Sequence, residues 1–229
     1  MIEFVSATRM TRDEFWEKAA LGRSLLRIDA SDHERWVAKV AFENRRGLSE
    51  VFNERIRDSA HDTLVFIHDD VWIDDCFICD HLEESLHEFD VVGVAGNSRR
   101  VPGQPAWAFT HIGPTEFVWD ERETHLRGAT CHGKEALGVV NRFGPTYAEC
   151  ELLDGVFMAA RRATLLERRV AFDTRFKFDF YDVDFCRSAR AAGLKLGCWP
   201  IAITHQSMGV FGSESWRAGY AAYLEKWKD

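Results

Sequence analysis

Long apolar runs are absent from this chain. None approaches the ~18 residues that a bilayer-spanning helix needs, so no transmembrane segment is expected. Dense blocks of Lys and Arg are absent too. With 29 basic against 37 acidic residues the formal net charge is −8, and a nucleic-acid partner, which calls for clustered cations, is not expected. The opening Met-Ile-Glu-Phe-Val-Ser has neither a cationic nor a long apolar segment, so no signal peptide is read there and a cytoplasmic location follows. Six cysteines (Cys76, Cys79, Cys131, Cys150, Cys186, Cys198) then read as reduced, mostly buried thiols. Cys76-x-x-Cys79 with His81 has half of a zinc spacing, but no second pair matches it, which argues against zinc. Repeats and linkers are missing as well, so the 229 residues read as one domain.

What is present is a globular composition. Hydrophobic residues make up 46% and charged ones 29%, and 17 Phe and 8 Trp supply both a large core and surfaces for stacking. Residues 2–6 read as a short strand ending in Ser6-Ala-Thr-Arg9. Thr11-x-x-Glu14 has capping-box spacing, and Phe15, Trp16, Ala19 and Ala20 follow on one helical face. Residues 36–42 are a second strand of weaker pattern. Leu48, Val51, Phe52 and Ile56 then recur at helical spacing. The apolar run Leu64-Val-Phe-Ile67 stops abruptly at His68-Asp69-Asp70, the pattern of a fully buried strand. Strand, helix and strand with short connections predict a parallel sheet.

A helix is expected over about 75–88 and a buried strand over 91–95. From 96 to 149 periodicity fades; a structureless loop of that length does not suit a compact domain, so short hairpins are expected at 115–119 and 138–142. A strand over 152–160 and a short helix follow. Asp182 and Asp184 open a helix over 182–192, closed by Gly193. Residues 196–204 form the last strand, with His205 after it. The amphipathic tail, 216–227, either packs on the body as a helix or lies on a membrane surface.

Three polar points thus stand at ends of elements: His68-Asp69-Asp70, Asp182 with Asp184, and His205. Two of them end strands, and a sheet of this type delivers strand ends to one edge. Carboxylates and imidazoles there suit Mg²⁺ or Mn²⁺, and an ion held by Asp70 and His205 leaves positions open for a diphosphate. The alternatives are a solvated acidic turn at 68–70 and a strand-end hydrogen bond for His205. An Asp opening the 182–192 helix is placed to act as a general base. These residues point to metal-assisted transfer involving phosphate.

Gly47-Leu-Ser49, Asn53, Ala60 and Leu64-Val-Phe-Ile-His-Asp-Asp-Val71 together resemble family 2 glycosyltransferases of the GT-A fold, with their Gly-x-Ser region, helical Asn and strand ending in Asp-x-Asp. Leu153-Asp-Gly-Val-Phe-Met-Ala-Ala-Arg-Arg162 is similar to the family's acceptor-side strand, and the segment from Phe178 to Leu194 to its acidic helix. The resemblance implies an α/β, Rossmann-like sandwich with a mostly parallel central sheet and helices on both faces. It implies a nucleotide-sugar-binding half (1–98), an acceptor-side half (99–205) and a tail helix (206–229). The implied activity is an inverting, Mn²⁺- or Mg²⁺-dependent transfer from a UDP-, GDP- or dTDP-sugar to a hydroxyl of a glycan, lipid-linked or small-molecule acceptor.

Residue by residue, the resemblance makes Asp70 and His205 metal ligands and Asp182 the base. Tyr181 stands where the family has Glu, which leaves Asp184 as the alternative base or a helix-packing residue. Ser6, Thr8 and Arg9 match the nucleobase and ribose region. His68, in the place of the first Asp, and Asp69 fall among the donor contacts. Asn53 is either a donor-pocket residue or a buried amide bonded to backbone. Asp154 either binds the acceptor or makes a turn before Gly155. Trp107 and Trp119 are acceptor-stacking platforms or loop anchors. His33, His61, His81, His87, His111, His125 and His132 read as surface or loop positions. Two other functions fit the same residues: a non-catalytic nucleotide or glycan binder, and a sugar nucleotidyltransferase. The latter calls for a glycine-rich phosphate loop that Ser6-Ala-Thr-Arg9 lacks.

Overall fold

The computed structural model describes residues 1–32, 34–209 and 211–229, so His33 lies outside the described residues. A first sheet grows from β1 (Ile2–Ala7), β2 (Trp36–Ala41) and β3 (Thr63–Ile67), which pair in parallel. Every residue of β3 is buried, which is why its sequence is an unbroken apolar run and not an alternation. The crossovers are α1 (Arg12–Lys18), α2 (Ala20–Asp32) and α3 (Leu48–Asp58). The capping box forms as its spacing predicts, with Glu14 N donating to Thr11 Oγ1 at 3.3 Å and Thr11 N to Glu14 Oε2 at 3.1 Å. The chain breaks at Ala19 and turns helical again, a helix absent from the sequence reading. Gly22 permits that turn, since a Cβ there would lie 2.2 Å from the Phe15 carbonyl oxygen.

The same sheet takes in β5 (Val91–Gly93), β11 (Ala148–Cys150), β13 (Phe157–Arg161) and β14 (Leu196–Cys198), in the order β11-β14-β5-β13-β3-β1-β2. Because β13 runs antiparallel between β3 and β5, and β11 antiparallel to β14, the sheet is mixed. Five of its seven strands (β2, β1, β3, β5 and β14) still run in one direction, so the mostly parallel sheet expected from the sequence is present with two antiparallel members. A second sheet holds β4 (Val71–Ile73), β6 (Ala95–Asn97), β9 (Leu126–His132), β12 (Leu152–Leu153) and β15 (Ile203–His205), with β10 (Val139–Arg142) on its β9. A separate hairpin pairs β7 (Phe109–Ile112) with β8 (Phe117–Trp119). The remaining helices are α4 (Ile78–Glu88), α5 (Arg162–Glu167), α6 (Tyr181–Ala191) and α7 (Glu214–Trp227).

The apolar stretches 91–95, 152–160 and 196–204, each expected as one strand, divide between the two sheets. The turn at 68–70, between β3 and β4, is another such crossing. Chain crossings between packed sheets make corners, and polar residues at corners face the gap between the sheets. Beneath them an aromatic cluster joins α3, β3 and α6. Phe52 meets Phe66 at 4.9 Å and Phe172 at 5.2 Å, and Phe172 stacks on Phe185 at 4.2 Å. Burial of each such ring contributes ~1.5–3 kcal/mol.

The tail helix packs on this body. Trp216 and Tyr223 of α7 are buried, their rings 5.1 and 5.5 Å from that of Phe180. Among the described residues no helix is long and apolar enough to cross a membrane.

Candidate active site

The N-terminal half of α3 fastens the segment that leads to α6. Leu48 N donates to the Lys177 carbonyl at 2.7 Å and Ser49 Oγ to that of Phe176 at 2.5 Å. Asn53 Nδ2 donates to the Phe172 carbonyl at 2.7 Å, and its Oδ1 accepts from Phe172 N at 2.9 Å. Both ends of that amide are therefore spent on backbone, and Asn53 lines no donor pocket. The donor role held open for it is corrected to a structural one. Held this way, the segment enters α6 through Phe180, whose φ of 66° is left-handed for a residue with a Cβ. Such backbone costs ~1–3 kcal/mol, and here the packing of Phe180 under α7 offsets it.

Tyr181, the first residue of α6, donates its hydroxyl proton to the Gly155 carbonyl at 2.8 Å. With its one proton committed, the same oxygen accepts from His68 Nε2 at 2.7 Å. The His68 ring is thereby fixed in the Nε2–H tautomer, and Nδ1 keeps a free lone pair 4.0 Å from Asp70 Oδ1. Asp70 Oδ2 lies 3.3 Å from His205 Nε2, which also meets Ser207 Oγ at 3.0 Å. The pairing of β15 with β4 sets His205 opposite Val71, and Gln206 N donates to the Asp70 carbonyl at 3.0 Å.

One ligand atom each from His68, Asp70 and His205 lie within 4.8 Å of one another, the sole such group among the described residues. His81, which follows Cys76 and Cys79 in sequence, pairs with Asp75 at 2.6 Å. Burial holds the His68 imidazole down at about 4. Burial would raise Asp70, but the hydrogen bond and charge of His205 outweigh it and hold its carboxyl at about 2. Both groups are thus in their ligating forms at neutral pH.

Two more acids flank Gly155. Asp182 Oδ2 accepts from Gly155 N at 3.1 Å, and Asp154 Oδ1 from Val156 N at 3.2 Å. Only glycine fits between them and α6, because a Cβ would stand 2.5 Å from Tyr181 Oη and 2.7 Å from Asp182 Cβ. Burial, and then the charge of Asp154, push Asp182 up to about 7. Burial raises Asp154 as well, against the nearby charge of His205 and a hydrogen bond from the Trp107 side chain. His68, Trp107, Asp154, Phe178, Tyr181 and Asp182 line one cavity of about 120 Å³. A second cavity of about 160 Å³ lies against Trp107, Asp154 and His205 and reaches Trp119, Thr130 and His132.

Thr8, Arg9, Arg45, Arg46, Asp69 and Lys177 line a third cleft, of about 280 Å³, which shares Phe178 with the first cavity. The Asp69 carboxyl is raised by burial, with a hydrogen bond to the Thr8 side chain opposing the rise. Arg46 is partly neutralised by Glu54 at 2.6 Å.

No family model matches this chain, and no curated protein matches it in sequence. A solved mannosyltransferase from Pyrobaculum calidifontis, in complex with GDP-Man and Mn²⁺, is similar over 100% of this chain and 64% of its own length, at 13% identity and a TM-score of 0.50. The fold is that of the GT-A glycosyltransferases. A Drosophila beta1,4-galactosyltransferase 7 catalytic domain with xylobiose is similar over 86% of this chain at 10% identity and a TM-score of 0.46. Residues 1–349 of S. aureus TarS are similar over 90% of it at 11% identity and a TM-score of 0.49. This chain spans 63% and 60% of those two solved chains, under two thirds of each.

On this GT-A frame, several sequence expectations change. His68 stands in the His–Asp–His cluster and not solely on the donor side. Asp184 is fully buried, bonded to Lys226 Nζ at 2.7 Å and to Trp227 Nε1 at 2.8 Å, so it anchors α7 and is not an alternative base. Ser6 is buried in β1 and does not line the GT-A cleft, whereas Thr8 and Arg9 do. His132 is no loop residue; it sits on β9 with its ring 6.1 Å from that of His205. Lys177, Arg45 and Arg46 escaped the sequence reading because no periodicity marks them. Tyr181 carried a signal, since it and His68 are the positions where the chain departs from the family's motifs, and they are bonded to each other.

Proposed function

We propose that this protein transfers a sugar from a nucleotide-sugar donor to an acceptor hydroxyl, with inversion, using a divalent ion held by His68, Asp70 and His205. The observation that supports this most is the sharing of one cavity by His68 of that cluster and Asp182, a carboxyl raised to about 7. A donor set of two imidazoles and one carboxylate, with ligand atoms within 4.8 Å of one another, fits a first-row ion such as Mn²⁺ better than Mg²⁺, which prefers oxygen. When bound, such an ion supplies Lewis-acid stabilisation to a diphosphate leaving group.

The chain's own residues do the rest. Arg9, Arg45 and Lys177 pair with phosphate oxygens in the cationic cleft. Thr8 and Asp69 hydrogen-bond a ribose there. Phe178, common to cleft and cavity, lies where the donor sugar passes from one to the other. Asp154, fixed by Val156 N and Trp107, orients the acceptor. Asp182 takes the hydroxyl proton as the oxygen attacks the anomeric carbon opposite the leaving diphosphate.

The test is a thermal-shift panel of UDP, GDP and dTDP with and without Mn²⁺. One nucleotide raises the melting temperature in a Mn²⁺-dependent way, and Asp70→Ala removes that dependence. A panel without any Mn²⁺-dependent shift overturns the proposal.

A further inference from the structure

The cavity on the far side of Asp154 touches the donor reading only through His205, yet it is built for a ligand. Trp107, Trp119 and Phe143 form an aromatic wall and Thr130, His132 and Asn141 a polar floor. Trp119 is 49% exposed and lies nearly parallel to Phe143, 15° between planes at 6.2 Å, while Trp107 meets Phe143 edge-on at 5.0 Å. Thr130 Oγ1 and His132 Nδ1 are buried without a hydrogen-bond partner. Leaving such a group unpaired costs ~1–3 kcal/mol, a cost that a ligand hydroxyl removes once the covered atom turns toward the cavity. Flat apolar faces beside unpaired donors and acceptors complement a pyranose, which has an apolar C–H face and a rim of hydroxyls.

Charge narrows the ligand further. Neither this cavity nor the one at Asp182 is lined by Lys or Arg; Asp154, Asp179 and Asp182 line them instead. Arg122 lies over the Trp119 and Phe143 rings at 5.6 and 5.3 Å. Its guanidinium is bonded to Asn141 Oδ1 at 3.0 Å and to the Arg142 carbonyl, and it lines neither cavity. The Asn141 amide nitrogen is left for a ligand. In the metal-free chain a phosphate or carboxylate here would be desolvated beside Asp154 with no Lys or Arg to pair with, and the His205 imidazole on the cavity wall is already paired with Asp70. In the Arg9–Lys177 cleft the charge balance is the reverse.

We infer that the acceptor is a neutral saccharide, one ring lying on the Trp119–Phe143 wall with its hydroxyls on Thr130, His132 and Asn141, and that phosphate-bearing acceptors are excluded. That it is the acceptor rests on the glycosyl-transfer reading; that it is a saccharide site does not.

The full chain, without donor or metal, is applied to an array of neutral, uronate-terminated and phosphorylated saccharides, and hits are titrated by calorimetry. Neutral saccharides bind. Trp119→Ala, at a half-exposed position that should not affect folding, weakens them about tenfold, the equivalent of ~1.4 kcal/mol. Thr130→Val, which keeps the side-chain shape, weakens them less. Both variants keep the nucleotide binding of the unaltered chain. Absence of saccharide binding, binding of acidic saccharides only, or unaltered affinity in both variants overturns the inference. Neutral saccharide binding without any Mn²⁺-dependent nucleotide binding keeps the site and overturns the transfer reading, and the converse result does the opposite.

Discussion

His68 and Tyr181 work as a pair at the residue scale. The Tyr181 hydroxyl, 2.7 Å from His68 Nε2, decides which ring nitrogen faces Asp70. It is a positioning residue, and groups that orient metal ligands typically set affinity by about 10–100-fold. Tyr181→Phe therefore weakens Mn²⁺ binding by that range in a titration followed by electron paramagnetic resonance; unchanged affinity would leave the tautomer unexplained by this contact. Asp182 carries a pH dependence of definite sign. Its carboxyl is raised from an ordinary 3.8 to about 7, so the folded chain holds the proton more tightly than the unfolded one. Ionisation thus costs stability as pH rises between those values, and the full cost is present above 7. Asp182→Asn raises the melting temperature at pH 8 and scarcely moves it at pH 4. In turnover, kcat/KM climbs with pH through a limb near 7 that the same variant loses.

At the scale of elements, helices position residues that they do not themselves expose. α7 is tied to α6 by Asp184, whose carboxylate takes Lys226 and Trp227 together. Asp184→Ala leaves the part-buried Trp227 indole without its acceptor and the Lys226 ammonium with Asp173 alone. It destabilises the fold by about 1–3 kcal/mol in denaturant titration, while the pH limb assigned to Asp182 persists in the folded protein. Much of this layer was legible in the sequence: the Thr11–Glu14 cap, α3, β3 and α6 follow from caps and periodicity. β9 did not, because the residues it turns inward include Gly128 and Thr130, which give no apolar alternation. Nor did the division of 196–204, since an apolar run has the same pattern whether it stays in one sheet or changes to another. Of the candidate site, the sequence pointed to Asp70, His205 and Asp182. The Tyr181 hydrogen bond was not legible, and the choice between the two readings of Asn53 stayed open, because both depend on which chain segment arrives opposite.

At the scale of the whole molecule, charge is sorted by place. A chain of net charge −8 gathers Arg9, Arg45, Arg46 and Lys177 in one cleft and leaves Asp154, Asp179 and Asp182 without Lys or Arg in its neighbours. The corners where the chain passes between sheets hold 68–70 and 154–156, so His68 and Asp154 meet in one cavity without needing one shared strand edge. The central place of β13 also bears on how the chain assembles. β3 and β5 lie within the first hundred residues, yet they are joined only through residues 157–161, which pair with both. Contacts so distant in sequence close late and slowly. A nascent N-terminal half must wait with two unsatisfied strand edges, exposed to off-pathway pairing. Asp154 and Gly155 lie just ahead of β13, so the step that completes the sheet is also the one that brings the acidic corner to the Asp182 helix.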